Sequence, residues 1–89
     1  MNTIFKFDAP LSFSTIAHQI PKEAKFLHLE RQPHQPHASM WFLVDPTKKI
    51  ETVAFISIQT GGYFNGDEHT YLGTYQENEF VWHIFKQHQ

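Results

Sequence analysis

Cysteine is absent from all 89 residues, which excludes a disulfide framework, a thiolate zinc site and a cysteine nucleophile together. Long apolar runs are missing too. None approaches the ~18–20 residues needed to cross a bilayer, so no membrane partner is expected. The opening stretch, MNTIFKFDAP, lacks a basic segment followed by an unbroken apolar one, so no secretory signal is read. Positive charge is sparse and scattered: Lys22 and Lys25, Lys48 and Lys49, and single residues such as Arg31. The basic stripe of a duplex-binding module is not there, and duplex nucleic acid is not an expected partner. Net charge is −2 with the 7 histidines neutral, so charge responds to pH between about 5 and 7.5. The expected setting is the cytoplasm.

What is present is aromatic. The chain carries 9 Phe, 3 Tyr and 2 Trp, and each buried ring removes roughly 150–250 Å² from water. A chain this short buries only about 60–65% of its unfolded surface, so those rings make a packed single domain over residues 1–89 credible without staples.

The pattern along the chain is that of strands. TIFKF (3–7) alternates and is closed by Pro10. Leu11 to Ile20 satisfies both a helical and a two-residue period; Thr15, Ile16 and the terminating Pro21 favour a strand. PKEAK turns into Phe26–Arg31, where Leu27 and Leu29 are expected to face one way and Phe26, His28 and Glu30 the other. QPHQPHAS is a polar, Pro-punctuated surface loop. Met40–Val44 reads as a strand buried on both faces, and Asp45-Pro46-Thr47 as a turn in which Asp caps its own backbone. Glu51–Thr60 is the longest strand, with Ala54, Ile56 and Ile58 opposed to Val53, Phe55 and Ser57. GGYFNGDEH (61–69) is a second long loop, rich in positions that tolerate positive φ.

The chain closes on a hairpin, TYLGTYQENEFVWHIF (70–85), with both faces loaded. A two-residue turn at Glu77-Asn78 would set Tyr75 against Phe80 and Gly73 against Trp82; a three-residue turn with Asn78 left-handed is the alternative. Trp41 and Tyr71 are read as core. The expected fold is all-β or mainly β, a small antiparallel sandwich or half-open barrel of about six to seven strands with little or no helix.

The blocks IPKEAKFLHLE, MWFLVDP, ETVAFISIQTGG, TYLGTYQ and EFVWHIF follow one another across nearly the whole chain. In that order they resemble a family of small phage and prophage proteins. Its members show a Met-Pro-Lys-Gly-Ala-Lys turn, a Trp-x-Leu-Val-Asp-Pro block, a Gly-Thr-Gly-His loop, a Gly-Thr-Phe-Gln block and a closing Phe-His-Val-Phe-Glu strand. The resemblance implies an origin in a virus or mobile element and a compact β-rich fold. That family is described as of unknown function, so it implies no catalytic or binding residues. The chain departs from the pattern at Glu23, where a turn glycine is usual, and in the two loops QPHQPHAS and GGYFNGDEH.

Three constellations invite chemistry. His34-x-x-His37 has the spacing of a chelating pair, but it lies between prolines with no evident third ligand, so it is read as a polar loop without a metal. Asp67-Glu68-His69 puts two carboxylates beside an imidazole. Adjacent loop residues usually point apart, and Ser12, Ser14, Ser39 and Ser57 sit in no nucleophile elbow. No catalytic residue and no cofactor are assigned. His83 is read as a half-buried imidazole bonded to a neighbour.

Tyr63 and Phe64 are the strongest binding candidates, since aromatics on a glycine-rich loop offer large contact area at low entropic cost; the competing role is a lid over the sheet. The candidate binding set is Tyr63, Phe64, Asn65, Asp67, Glu68 and His69, joined by His34 and His37. The leading expectation is a non-enzymatic phage or mobile-element accessory protein that binds and inhibits a host protein, such as an anti-phage defence factor. One alternative is an oligomer that sequesters a small nucleotide signal, with Lys22, Lys25 or Arg31 pooled between subunits. Another is a virion or morphogenesis component.

Overall fold

The computed structural model describes residues 1–88. It contains seven strands, β1 (Thr3–Asp8), β2 (Thr15–Pro21), β3 (Lys25–Glu30), β4 (Ser39–Val44), β5 (Ile50–Gln59), β6 (His69–Glu77) and β7 (Phe80–Gln87), with one 3-10 turn at Gly66–Glu68. Every pairing is antiparallel. One sheet runs β1-β4-β3 and the other β2-β5-β7-β6. The two stack face to face, so of the two expected architectures the sandwich is the one that forms.

Two-residue periodicity decides which faces meet. In β5, Val53, Phe55 and Ser57 are buried while Ala54, Ile56 and Ile58 lie on the outer face, as their alternation predicts. In β7 the buried pair is Trp82 and Ile84. From the other sheet, Met40, Phe42 and Val44 of the central strand β4 point down onto them. Phe42 and Phe55 meet with ring centroids 5.9 Å apart, and Phe7 and Phe26 pack edge-on to Phe42 at 5.9 and 5.5 Å. The molecule measures 41 × 32 × 16 Å, the thickness of two layers.

Four expectations need correction. The strand assigned to Leu11–Ile20 begins only at Thr15. Ser14 folds back, its N–H and hydroxyl donating to the Leu11 carbonyl at 3.1 and 2.6 Å, and Phe13 takes a left-handed φ of 54°. In β3 a bulge between Phe26 and His28 breaks the alternation, so Phe26 and Leu29 share the inner face and Leu27 is exposed. The closing hairpin turns at Asn78-Glu79, with Asn78 left-handed at φ 56°. Tyr75 therefore opposes Trp82, and Gly73 opposes Ile84. Finally, Trp41 and Tyr71 are not core. Trp41 lies on the outer face of the three-stranded sheet under the Lys6 ammonium, 5.8 Å from its ring centre, and Tyr71 is exposed.

At Gly73 the strand β6 runs close against β3 of the other sheet. A Cβ there would lie 3.0 Å from Leu29 Cδ2 and 3.3 Å from Leu29 Cβ on the opposite sheet. Gly73→Val should destabilise the fold by roughly 1–3 kcal/mol, read as a lower urea midpoint; an unchanged midpoint would mean that β3 is free to lift.

Tyr75 carries the buried phenol. Burial raises its pKa above the ordinary value near 10.0, the charge of Glu77 adds to this, and Arg31 and the Ser57 hydroxyl act in the opposite sense. The Ser57 oxygen is itself buried with no partner in hydrogen-bonding geometry among the described residues, so its effect on the phenol is the weakest of the four. A raised folded-state pKa means the folded chain holds the phenolic proton more tightly. That stabilisation is complete below about pH 10 and is lost as pH climbs through the folded value. Urea unfolding above about pH 10 should therefore weaken less steeply for Tyr75→Phe than for the wild type, and identical slopes would contradict this account.

Candidate functional site on the outer face of the four-stranded sheet

Strands β5 and β6 both run antiparallel to β7, one on each side, so they are parallel to each other. Gln59 at the end of β5 stands opposite Trp82, whereas His69 at the start of β6 stands opposite Gln87. The connection must climb five residues of β7, roughly 17 Å, before β6 can begin. It does so across the outer face of the sheet. The glycine-rich loop is thus a strap over β7, set there by topology.

Local chemistry holds the strap down. Gly61 adopts φ 90°, and the Gly62 N–H returns to the Gln59 carbonyl at 2.8 Å. Asn65 caps the 3-10 turn, its side-chain oxygen accepting the Asp67 N–H at 3.1 Å. His69 Nδ1 donates to the Asn65 carbonyl at 2.6 Å, and the His88 N–H donates to the Glu68 carbonyl at 2.8 Å. Asp67 and Glu68 project from the turn into solvent. With its Nδ1 committed to Asn65, His69 does not face the two carboxylates as an acid–base partner.

The two aromatics of the strap part company. Phe64 folds onto the outer face of β7, 4.6 Å from the Phe85 ring and 5.6 Å from His69, and remains 37% exposed. Tyr71 flanks Phe85 from β6 at 5.5 Å. Tyr63 is fully exposed and makes no ring contact among the described residues. One ring is a lid on the sheet; the other stands free beside it. With Ile56 and Ile58 on the same face, these rings form an open, largely apolar strip.

His83 crosses this face as a tie bar. Its Nε2 lies 2.8 Å from the Thr60 hydroxyl and its Nδ1 2.9 Å from the Thr74 hydroxyl, which in turn lies 2.6 Å from the Tyr71 hydroxyl. Thr60 and the imidazole are within the reach of a nucleophile and base. The second nitrogen, however, meets a hydroxyl and no carboxylate, so the ring is held in place without the orienting charge of a triad.

The other candidates lie elsewhere. His37 Nδ1 donates to the Ala9 carbonyl at 2.8 Å, and the Ala9 N–H donates to Ala38 at 2.8 Å, pinning the β3–β4 loop to the β1–β2 connection. His34 is an exposed turn residue with φ 66°. The two histidines therefore do different jobs, and among the described residues no three His, Cys, Asp or Glu side chains converge on a metal position. Between the sheets a cleft of about 60 Å³ is floored by Phe42, Val53 and Phe55 and rimmed by Glu51 and Lys86.

Tyr71, His83 and Phe85 belong to the strip but were absent from the sequence-derived set. The only available signal was that both faces of β7 carry large side chains, and one of those faces was bound to be external. A further exposed aromatic, Phe13 (69% exposed), stands edge-on to Trp82 at 5.0 Å at the hairpin end of the sandwich.

The different seating of the two strap aromatics is measurable. Tyr63→Ala should leave thermal stability within about 0.5 kcal/mol, while Phe64→Ala should lower it by about 1–2 kcal/mol through lost contact with Phe85. Equal losses would contradict the separate roles.

No helix among the described residues is long and apolar enough to cross a membrane. No curated protein and no solved structure matches the chain. A match does span residues 1–89, to a family described as Domain of unknown function (DUF7352), and the chain belongs to that family.

Proposed function

We propose that this chain is a non-enzymatic accessory protein of a phage or other mobile element, acting in the cytoplasm of a bacterial host. It binds a host protein, such as an anti-phage defence factor, and inhibits it. The observation that carries the reading is the open strip on the four-stranded sheet, where Phe64 and Tyr71 pack tilted and edge-on against Phe85 beside the exposed ring of Tyr63. Rigid aromatics give contact area with few rotors to freeze, which is why they dominate binding hot spots. The strap is tied at both ends and across His83, so the surface is largely organised before a partner arrives. The mobile-element origin rests on the resemblance of the sequence blocks; the defence target is a step beyond that resemblance, supported by the small size of the chain and its two distinctive loops on a rigid β scaffold.

Affinity capture from a bacterial host lysate, followed by reconstitution with the purified partner, tests this. One protein should bind stoichiometrically and lose activity on binding. Tyr63→Ala combined with Tyr71→Ala should weaken the complex by about 100-fold or more while the variant stays folded. A partner that holds the double variant as tightly as the wild type would sink this surface. A bound partner whose activity is unchanged would sink the inhibitor reading.

A further inference from the structure

The cations that look scattered along the sequence are gathered by the fold. The β2–β3 turn and the β4–β5 turn lie side by side at one end of the sandwich, clamped by the Lys22 N–H donating to the Lys49 carbonyl at 2.8 Å. Together with Asn2 and the end of β4 they enclose a cleft of about 300 Å³. It is lined by Lys22, Lys25 and Lys48, by Glu23 and Asp45, and by the apolar Leu43 and Val44. With Lys49 on the same turn, four of the chain's 7 cationic side chains stand at this end.

The two carboxylates there are already occupied. Asp45 accepts the Thr47 N–H at 3.0 Å and the Thr47 hydroxyl at 2.6 Å, and meets the Met1 amino group at 4.0 Å. Glu23 meets Lys48 at 3.5 Å. Lys22 and Lys25 have no carboxylate within 4.0 Å among the described residues. Lys22 and Lys25, with Lys48 held loosely by an exposed glutamate, therefore line one concave site.

From this geometry we infer an anion site for a small phosphate-bearing ligand, with Lys22 and Lys25 as its primary contacts and Lys48 as a third that Glu23 competes for. Ammonium groups are compact point charges with several donors each, suited to the diffuse charge of a phosphoryl or pyrophosphoryl group; a planar carboxylate is better served by the fork of an arginine. The volume is at the small end of ligand pockets, and Leu43, on the outer face of β4, offers an apolar wall to whatever the phosphate carries. The site is complete within one chain and does not depend on the aromatic strip.

Glu23 makes the assignment testable in both directions. It holds a left-handed φ of 65° and so can be replaced by glycine without backbone strain. Glu23→Gly removes the competing carboxylate, and pyrophosphate binding should tighten by about fivefold. Lys22→Gln and Lys25→Gln should each weaken it by about fivefold or more, with Lys6→Gln, which lies outside the cleft and donates to Gln32, as the control that changes nothing. The measurement is calorimetric titration of the full chain with pyrophosphate, inorganic phosphate and a nucleoside diphosphate, at ionic strength held constant with sodium chloride. Saturable binding of one or more of them, with the expected pattern among the variants, supports the site; a preference for the nucleoside diphosphate adds a role for the apolar wall. No saturation by about 10 mM would overturn it. So would equal losses from Lys6→Gln and Lys22→Gln, which mean diffuse charge. Tight binding to anionic lipid vesicles with none to pyrophosphate would overturn it in favour of a membrane surface.

Discussion

The contact between Phe42 and Phe55 is the interaction on which the rest depends. Phe42 lies on the central strand of the three-stranded sheet and Phe55 on an inner strand of the four-stranded one, and each is essentially fully buried. A sandwich only 16 Å thick has one interior, so each strand can give only one face to the core. Large side chains on the opposite faces need another use. On β7 that opposite face carries Val81, His83 and Phe85, and the strap between β5 and β6 partly covers them. Aromatic content well above what one thin core can absorb is thus the origin of the exposed strip.

Connections, more than strands, put functional chemistry in place here. The parallel relation of β5 and β6 across β7 forces a long crossing, and that crossing carries Tyr63 and Phe64 to the middle of a sheet face. At one end of the molecule, two tight turns pass between the sheets in opposite directions, β2 to β3 and β4 to β5. Each brings its lysines to the same rim. Neither arrangement contributes much to burial, so both are free to serve recognition, as surface connections on a rigid scaffold commonly do.

Where residues signal through local rules, the sequence could be read. The alternation of β5 and the Asp45-Pro46-Thr47 turn follow from periodicity and from side-chain capping, and both are present. The expected burial of β4 on both faces is not: Met40, Phe42 and Val44 are buried, while Trp41 and Leu43 lie on the outer face, because a two-layer sandwich covers only one side of a strand. The bulge at Leu27 leaves no such trace, because it is defined by its partner strand. Phe13 was placed in a strand because its neighbours alternate; its left-handed backbone is stabilised by Ser14 bonding to Leu11 and by its contact with Trp82, which lies far away in sequence. The hairpin register slipped by two residues, which keeps every side chain on its proper face and so leaves the hydrophobic pattern unchanged. The lysine cleft was invisible for a similar reason: Lys22 and Lys48 meet only once both turns have formed.

Left-handed backbone at residues other than glycine links these turns to function. Phe13, Glu23, His34 and Asn78 all have φ between 54° and 66°, and such a conformation costs an L-residue with a Cβ roughly 1–2 kcal/mol, less for Asn. In a chain of marginal size that is a substantial sum to carry without return. At Asn78 the return is a tight hairpin. At Glu23, glycine would satisfy the backbone at lower energy, so the retained side chain must act through its charge, and its partner is Lys48 at the mouth of the basic cleft. At Phe13 the return is a ring seated edge-on against Trp82 yet mostly open to water, and a position chosen for stability alone would hold glycine or asparagine. The strain therefore collects at the turns of this sandwich, at an exposed phenylalanine and at a carboxylate over a lysine cleft, and its strands carry none of it.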